Sequence, residues 1–413
     1  MGNAYIVDAC RTPRGIGKVG KGALAHLHPS YLGSTVLSAM AERNNLNTSE
    51  VDDIIWGTSS QSGKQGGDLG RMAALNAGYD VRSSGVTLDR FCGSGITTVN
   101  LAAAQIMSGM EDLVIAGGTE MMSYHSQIGD PSKPPMIDSG NLHLREMHPQ
   151  SQQGVCADAI ATLEGIDRDA VDNLALVSQA RAARAIAEGR FDKSLITVKN
   201  PDGSVALDHE EFPRPETTKE GLADLKTVFS VVRDVAIDED GTTYGALIQR
   251  RYPQITEFNH IHHAGNSSGV VDGAAALLLA SESYMERTGM TPRARIVATA
   301  NMGDCPTLML NAPVPAAEKV LAKAGLTKDD IDVWEINEAF SVVAERFIRR
   351  LDLDREKVNI NGGAMALGHP IGATGSILVG TALDELERQQ GRYALITMCA
   401  AGGMAPAIII ERV

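Results

Sequence analysis

Two segments of this chain, 280 residues apart, follow the same order of helix, polar turn and short apolar strand. Residues 46–55 resemble residues 326–335 (326 − 46 = 280). Each segment follows a stretch with helical periodicity, near 31–43 and near 316–324. We therefore predict an α/β protein made of two related halves, each of βαβ type. The alternative is chance similarity between two amphipathic αβ units.

The same offset relates other landmarks. It carries Cys92 to Gly372, which is three residues from His369 (372 − 92 = 280). It also carries Gly117 to a position two residues before Cys399. Because four landmarks share one offset, we favour a duplication over chance.

The segment between the two halves has a different composition from either of them. Between about 123 and 261 the chain is richer in proline, histidine and charge, and it includes a proline-rich stretch at 131–135 and an amphipathic helical pattern over 169–188. We interpret this region as an inserted domain that covers one face of the core. The predicted division is an N-terminal half over 1–122, the insertion over 123–261 and a C-terminal half over 262–413.

Composition excludes several classes of function. The 413 residues carry a net charge of −14, which argues against nucleic acid or an anionic membrane as a general partner. No apolar run is long enough to span a bilayer, and the N-terminus lacks the pattern of a signal peptide. The five cysteines are widely spread without a CxxC, which predicts reduced thiols and a cytoplasmic protein. They are Cys10, Cys92, Cys156, Cys305 and Cys399.

Cys92 follows an apolar strand pattern that begins at Val86, and a helical pattern rich in alanine and leucine follows over 96–107. A thiol at such a strand-to-helix turn lies near a helix N-terminus, whose dipole favours a thiolate, so we expect a lowered pKa. The turn also aims backbone N–H groups at whatever the sulfur attacks. The alternative is a small buried apolar cysteine; the flanking Gly93 and Gly95 favour function.

Cys399 also ends a strand pattern before small residues and glycines. Two roles are open for it, a resolving thiol in redox chemistry or an acid/base poised over a substrate carbon. The lack of a CxxC makes thioredoxin-like redox work the weaker alternative.

Three further segments hold polar groups in settings that suit a site. His369 lies in the glycine-rich, uncharged run 361–375, which suits a fixed base, although a turn with a satisfied side chain is the plainer interpretation. Asn337 stands where a strand pattern gives way to a helical one, so it is either an N-cap or a holder of a water or carbonyl oxygen. The polar loop 264–269 could cradle a ligand amide or phosphate.

These motifs together, and in this order, resemble the thiolase family over essentially the whole chain. The resemblance most closely concerns the acetyl-CoA C-acyltransferases, the acetoacetyl-CoA and 3-ketoacyl-CoA thiolases. It implies a duplicated five-layer αβαβα core with an inserted loop domain. It also implies reversible Claisen condensation or thiolytic cleavage of 3-ketoacyl-CoA, as in β-oxidation. The motifs are 11–13, 92–95, 117–123, 264–268 with 272–274, 337–340, 368–372 and the run around Cys399.

Carried over by position, the resemblance implies the catalytic roles. Cys92 is the acylated nucleophile, His369 activates it, and Cys399 exchanges the proton on the substrate α-carbon. Asn337 holds a water that forms one oxyanion hole with His369. The backbone N–H groups of Cys92 and Ala401 form the other.

The resemblance also implies the ligands and the assembly. Ser268 contacts the pantetheine arm of coenzyme A, and Arg214 lies near its nucleotide end. Coenzyme A and acyl-CoA are substrates, with neither a cofactor nor a metal expected. A homodimer or homotetramer is expected.

The chain departs from the family pattern at several places. Ala400 and Ala401 stand where glycines are common after the second cysteine, and 152–154 replaces a His-Met-Gly that lines the substrate in many members. Residues 232–258 look like an insertion relative to short thiolases. A preference for short acyl chains is the expectation, which the changed 152–154 loop puts in question.

Two other functions remain as alternatives. A β-ketoacyl synthase shares the fold and a nucleophilic cysteine but usually presents two histidines, where this chain offers Asn337 and Cys399. A non-catalytic relative that binds acyl-CoA or lipid should lack Cys92, His369 or Cys399, and all three are present.

Overall fold

The computed structural model describes residues 2–128 and 136–413. The proline-rich stretch 131–135, one ground for the predicted insertion, lies outside these residues. No helix in the described part is both long and apolar enough to cross a bilayer.

The described strands are Ala4–Arg11 (β1), Gly15–Ile16 (β2), Asp53–Gly57 (β3), Val86–Leu88 (β4), Leu113–Met121 (β5), Val198–Lys199 (β6), Val205–Leu207 (β7), Val271–Ser281 (β8), Ala294–Gly303 (β9), Val333–Ile336 (β10), Tyr393–Thr397 (β11) and Met404–Arg412 (β12). Most of them pair in one continuous sheet, in the order β10-β11-β12-β9-β1-β8-β5-β3-β4, with β2 beside β8. A short pairing of β1 with β9 joins the two parts of this sheet.

The described helices are Pro29–Arg43 (α1), Leu69–Asn76 (α2), Ser94–Ser108 (α3), Met122–Ile128 (α4), Leu142–Met147 (α5), Gln153–Glu164 (α6), Arg168–Ala187 (α7), Lys219–Ala223 (α8), Phe229–Arg233 (α9), Tyr244–Arg251 (α10), Glu282–Thr288 (α11), Pro313–Ala324 (α12), Ser341–Leu351 (α13), Ala364–Leu367 (α14) and Ile371–Gln389 (α15). Helix α7 confirms the helix predicted from the amphipathic pattern over 169–188.

The pairing of the strands repeats, which confirms the duplication. In the first half β3 runs parallel to β5, and β5 is followed across the sheet by antiparallel β8 and β1. In the second half β10 runs parallel to β11, followed by antiparallel β12 and β9. The polar turns before β3 and β10 form short 3-10 helices at Thr48–Glu50 and Lys328–Asp330, at the predicted offset of 280 (328 − 48 = 280).

The core is layered, and α3 and α15 form its middle. Helix α3 is rich in small and apolar residues, and most of its length is buried. It shares one apolar cluster with α15 and with residues from both parts of the sheet, including Val114 and Ile396. A helix that is apolar on every side belongs inside a domain. Helices α1 and α2 cover the outer face of the first part, and α12 and α13 cover that of the second. The order is therefore αβαβα, as expected.

Helices α5 to α10 fall within the region interpreted as an insertion, and α4 begins one residue before it. Within it α6 and α7 pack on α13, and α7 also packs on α14. Strand β8 follows this region in the chain but pairs with β1 and β5, so it completes the first part of the sheet. The second part begins with β9. We retain 123–261 as the proposed extent of the insertion.

Candidate active site

The two central helices touch at glycines that are equivalent in the duplication. Gly95 on α3 and Gly375 on α15 are 280 residues apart (375 − 95 = 280). A Cβ on Gly375 would lie 2.1 Å from the backbone N of Ile96, and one on Gly95 would lie 2.6 Å from that of Ser376. Only glycine permits this approach. It brings the N-terminal ends of both helices, and the loops that precede them, to one place.

Cys92 stands in the loop before α3. The strand prediction was wrong in its end point, because β4 stops at Leu88 and a turn over 89–93 follows. Phe91 has a φ of +49°, an uncommon conformation for a bulky residue and one that marks a constrained turn. Gly93 is the N-cap of α3, as the predicted strand-to-helix turn requires.

The expectation of a lowered pKa at Cys92 was wrong. Cys92 is only 5% exposed. Burial raises the pKa of its thiol well above the ordinary range, and the neighbouring Cys399 and Glu120 raise it further. Desolvation therefore outweighs the favourable field at the start of α3. The resting thiol is neutral and needs a base at the moment of attack.

Cys399 lies beside Cys92. It follows β11 by two residues and is 1% exposed. A Cβ on Gly93 would lie 3.3 Å from Cβ of Ala400 and 2.8 Å from Pro406, so the two cysteine loops are in contact. Burial raises the pKa of the Cys399 thiol to about 12. A thiol that keeps its proton can act as a general acid toward a substrate carbanion.

The loop after Cys399 folds back tightly. Ala400 N–H donates to Met404 O at 2.7 Å, and Gly402 and Gly403 both have a φ of +77°. Ala401, where the family commonly has glycine, does not have a positive φ. Its backbone N–H donates to no protein acceptor within the described residues, so it remains available to a ligand oxygen.

His369 stands in the loop between α14 and α15. Gly368 before it has a φ of +92°, and a Cβ there would lie 2.4 Å from Val271. His369 N–H donates to Gly269 O at 2.9 Å, which ties this loop to the polar loop 264–269. Burial lowers the pKa of the imidazole to about 4. His369 is therefore neutral at pH 7, as a general base must be.

The hydrogen bonds around the His369 ring select its tautomer. Thr374 Oγ1 donates to Pro370 O at 2.9 Å, so its proton is engaged there. The 2.6 Å contact between Thr374 Oγ1 and His369 Nδ1 therefore places the ring proton on Nδ1. Nε2 then carries the lone pair, and it lies 3.4 Å from Asn337 Nδ2.

Asn337 is not an N-cap. Helix α13 begins at Ser341, and its N-cap is Phe340. Asn337 instead continues the ladder beyond β10, donating its N–H to Thr397 O at 3.3 Å. Its side chain is free for the site, and the buried Oδ1 has no protein partner in the described part of the chain.

Glu120 is a site residue to which sequence reasoning gave no role. It is fully buried at the end of β5. Its carboxylate accepts Gly372 N–H and Ser59 N–H, each at 2.8 Å, and the side chains of Gln65 and His125 at 2.7 and 2.8 Å. Burial pushes its pKa up, but these hydrogen bonds outweigh burial and hold the pKa below its usual range. The Glu120 carboxylate thus fixes the start of α15, next to His369.

Sequence gave one signal for Glu120. It closes the Gly-Gly-Thr-Glu run that was quoted for the resemblance. Its partners come from three segments, the loop after β3, helix α4 and the start of α15, which no local pattern brings together.

Two predicted ligand contacts lie on one side of this cluster. Ser268 donates its N–H to Ala339 O at 3.0 Å, which holds the 264–269 loop beside the Asn337 segment. Arg214 is exposed and forms no ion pair among the residues described; its guanidinium lies 6.0 Å from the ring centroid of Phe212. Phe212 packs over Gly269, since a Cβ there would lie 2.3 Å from its ring.

The cluster combines two neutral thiols, a neutral imidazole whose Nε2 carries the lone pair, an amide and an unengaged backbone N–H. This set suits acyl transfer followed by proton transfer to carbon. Among the residues that the structure describes, no group of three or more His, Cys, Asp or Glu side chains is arranged to hold a metal ion.

Family models match most of the chain. Residues 4–236 match the thiolase N-terminal domain, and residues 290–412 match the thiolase C-terminal domain.

Full-length relatives are similar to this chain. It is 40% identical to a 3-oxoadipyl-CoA/3-oxo-5,6-dehydrosuberyl-CoA thiolase of Escherichia coli and 39% identical to a β-ketoadipyl-CoA thiolase of Acinetobacter baylyi, over 100% of each protein. A crystal structure of human mitochondrial 3-ketoacyl-CoA thiolase in complex with CoA matches with a TM-score of 0.83 and 32% identity. The match covers 100% of this chain and 98% of that one.

Proposed function

This chain belongs to the thiolase family and is an acyltransferase that cleaves 3-ketoacyl-CoA by thiolysis, and we propose that it works by ping-pong chemistry through an acyl group on Cys92. The observation that supports this proposal most strongly is the meeting of two buried thiols with a neutral histidine where α3 and α15 touch. The neighbouring Cys399, which raises the pKa of the Cys92 thiol further, favours a thiolase over a synthase, which usually presents two histidines opposite its cysteine.

In the first half-reaction His369 Nε2 takes the proton of Cys92, and the sulfur attacks the 3-keto carbon. The oxyanion that forms accepts hydrogen bonds from the site that Asn337 and His369 share. The bond between C2 and C3 then breaks, leaving the acyl group on Cys92 and an enolate of acetyl-CoA. Cys399 gives its proton to C2, and acetyl-CoA departs. The N–H groups of Cys92 and Ala401 hold the oxygen of this enolate.

In the second half-reaction the thiol of free CoA gives its proton to the Cys399 thiolate left by the first half-reaction and attacks the acyl-cysteine. The thioester bond to Cys92 breaks as the bond to CoA forms, and Cys92 recovers its proton from His369 Nε2. Run in reverse, the same groups condense two acyl-CoA molecules. Because both resting thiols are neutral, each step needs a proton transfer within the site.

CoA is proposed to approach along the side marked by Ser268 and Arg214. The human relative binds CoA. In this chain, the exposed apolar side chains of Leu225 and Val228 provide surface for the pantetheine arm. The exposed Arg214 guanidinium, without an ion pair among the described residues, suits a phosphate.

We propose that the acyl group is short. The two bacterial relatives act, by name, on 3-oxoadipyl-CoA, whose acyl chain has six carbons and a second carboxylate. Both a short unbranched chain and this dicarboxylic chain are therefore candidates.

The first part of the sheet supports a homodimer. Strand β4 lies at the end of the strand order and pairs only with β3 in the described part. Apolar side chains are exposed nearby, with Val81 76% and Val86 45% exposed. A bare strand edge beside apolar surface suits pairing with a second copy. We further propose a cytoplasmic enzyme, supported by five cysteines that are all free.

Steady-state thiolysis tests the proposal. We expect parallel double-reciprocal lines for CoA and 3-ketoacyl-CoA, a burst of acetyl-CoA when CoA is withheld, and higher kcat/KM for acetoacetyl-CoA and 3-oxoadipyl-CoA than for a C10 substrate. Intersecting lines without a burst would reject the covalent route. A C10 substrate well ahead of the others would reject only the short-chain preference.

A further inference from the structure

A second buried carboxyl group lies close to the active site. Glu335 points into the protein from β10 and is 1% exposed. Neither of its carboxyl oxygens has a protein hydrogen-bond partner within the described residues. Buried polar groups nearly always have partners, so such a carboxyl group marks a place where something else completes the bonding.

A small cavity adjoins this carboxyl group. It has about 10 Å³ of space for the centre of a water molecule, and its lining includes Glu335, Asn337, Thr374 and Arg14. That is enough for one water, provided that the wall offers polar partners. Thr374 is the residue whose hydroxyl meets His369 Nδ1. The cavity therefore lies directly behind the catalytic histidine and the catalytic amide.

The geometry of β10 aims two unpartnered groups at the same space. Residues two apart in a strand point to the same face, about 7 Å apart. Asn337 continues the ladder of β10 through its bond to Thr397 O, so its side chain shares the face of Glu335. Asn337 Oδ1 also has no protein partner in the described part, while Nδ2 lies 3.4 Å from His369 Nε2. One water bridges two groups at this spacing.

The Glu335 carboxyl group is also able to donate a hydrogen bond. Burial raises the pKa of its carboxyl group well above the usual range, and the neighbouring carboxyl groups of Glu338 and Glu385 raise it further. Arg14 and Arg181 act in the opposite direction without reversing the shift. A protonated carboxyl group has an O–H to give, which an amide oxygen can receive through a water.

We propose that Glu335 is a positioning residue: through one water in this cavity it hydrogen-bonds Asn337 Oδ1 and so keeps Asn337 Nδ2 turned toward His369 and the substrate oxygen. Without that bond the amide is free to rotate by half a turn and present oxygen where a donor is needed. This inference rests on the proposed function, because it assigns Asn337 to the oxyanion site.

A double-mutant cycle tests whether Glu335 acts through Asn337. We expect E335L to lower kcat for thiolysis roughly 10–100-fold with KM for CoA within about twofold, because one oxyanion donor is misaligned. E335Q, which also carries a neutral donor and acceptor, should stay within about threefold of wild type. In an N337A background E335L should cost less than about twofold more. An equal loss in both backgrounds, an unaltered E335L, or an E335Q as impaired as E335L would overturn the proposal.

A high-resolution crystal structure of the wild-type enzyme decides the matter even if E335L does not fold. We expect one ordered water within about 3.2 Å of both a Glu335 oxygen and Asn337 Oδ1. A dry cavity, or a water that contacts only one of them, would overturn the proposal. Failure of the proposed function has a different signature, namely a wild-type enzyme that lacks thiolysis or carries the acyl group elsewhere.

Discussion

The two halves of this molecule share strand order and helix placement, yet they contribute different chemistry at equivalent positions. Cys92 in the first half corresponds to Gly372 in the second, at the offset of 280. In the other direction, Asn337 corresponds to Gly57 and Cys399 to Thr119 (337 − 57 = 399 − 119 = 280). The proposed nucleophile thus belongs to one half, and the amide and second thiol belong to the other.

This difference shows how a symmetric scaffold holds an asymmetric site. The glycines do structural work, since a Cβ on Gly57 would lie 2.8 Å from Gly372 O. Thr119 serves the core, where its hydroxyl accepts from Trp56 Nε1 at 3.0 Å. The proposed mechanism needs one nucleophile and one general acid, so only one position of each equivalent pair carries a reactive side chain.

The largest effect is expected when the first half loses its nucleophile. Cys92→Ala should lower thiolysis by more than about 10⁴-fold and abolish the acetyl-CoA burst, because it removes the proposed attachment point of the acyl group. Stopped-flow detection of acetyl-CoA measures both. Cys10→Ala is the matched control, since Cys10 is also buried with its pKa raised to about 12. If Cys10→Ala lost the burst as well, the loss in Cys92→Ala would not be specific to the Cys92 thiol.

The next effect concerns the second half. Cys399→Ser should still acylate at Cys92 but lose the thiol that transfers a proton to and from the substrate carbon. Exchange of the acetyl α-protons of acetyl-CoA with D₂O should therefore fall by about 10²–10⁴-fold. Proton NMR follows this exchange. Near wild-type exchange in Cys399→Ser would make this thiol structural and leave the second half without its assigned role.

His369, in the second half, should make the free energy of unfolding depend on pH. Folding lowers the pKa of His369 from its ordinary value to about 4, so only the unfolded chain takes up this proton between pH 6.5 and 4. The free energy of unfolding should therefore fall as the pH drops through this window, by about 3 kcal/mol in total. Urea titrations at several pH values should show this component lost in His369→Gln and kept in His209→Gln, whose side chain is 72% exposed. An identical pH dependence in both variants would contradict the buried neutral imidazole.

The contact between the halves predicts a smaller loss. Gly375→Ala places a methyl group 2.1 Å from the backbone N of Ile96 and should destabilise the protein by about 1–3 kcal/mol or more. Gly303→Ala is the control, because nothing lies within 4 Å of the added Cβ. Thermal unfolding of both variants measures the difference. Equal melting temperatures would mean that α3 and α15 do not approach as closely as described.

The smallest effect is expected at Ala401. Ala401 does not have a positive φ and keeps a free N–H, so Ala401→Gly should change kcat/KM by less than about threefold. A gain of tenfold or more would mean that the alanine methyl group obstructs the oxyanion site, and that the second half is poorly adapted to its task.

Sequence patterns gave much of this architecture. The offset of 280 predicted the duplication, and glycines beside Cys92, His369 and Cys399 indicated the loops that the structure brings together. The properties that the sequence did not predict depend on burial and on partners that are distant in the chain. The pKa of Cys92 follows from desolvation by both halves, which a local turn does not reveal. Glu120 gathers its hydrogen bonds from segments that only the fold unites.

The predicted start of the helix after Asn337 and the predicted end of the strand before Cys92 were wrong for a related reason. The helical pattern after Asn337 was read as beginning at that residue, but α13 starts at Ser341 because Ala339 O and the segment around it pair with the 264–269 loop. The strand before Cys92 was predicted to end at the cysteine, but β4 stops at Leu88, and Phe91 adopts a positive φ in the turn that follows.

The central claim is that the first half carries the acyl group. Wild-type enzyme incubated with acetyl-CoA in the absence of an acceptor, quenched in acid and digested, allows the acetyl group to be located by peptide mass spectrometry. The account predicts a mass increase on the peptide that contains Cys92, and none on those with Cys399 or Cys156. An acetyl group found on Cys399 or Cys156 instead would contradict it.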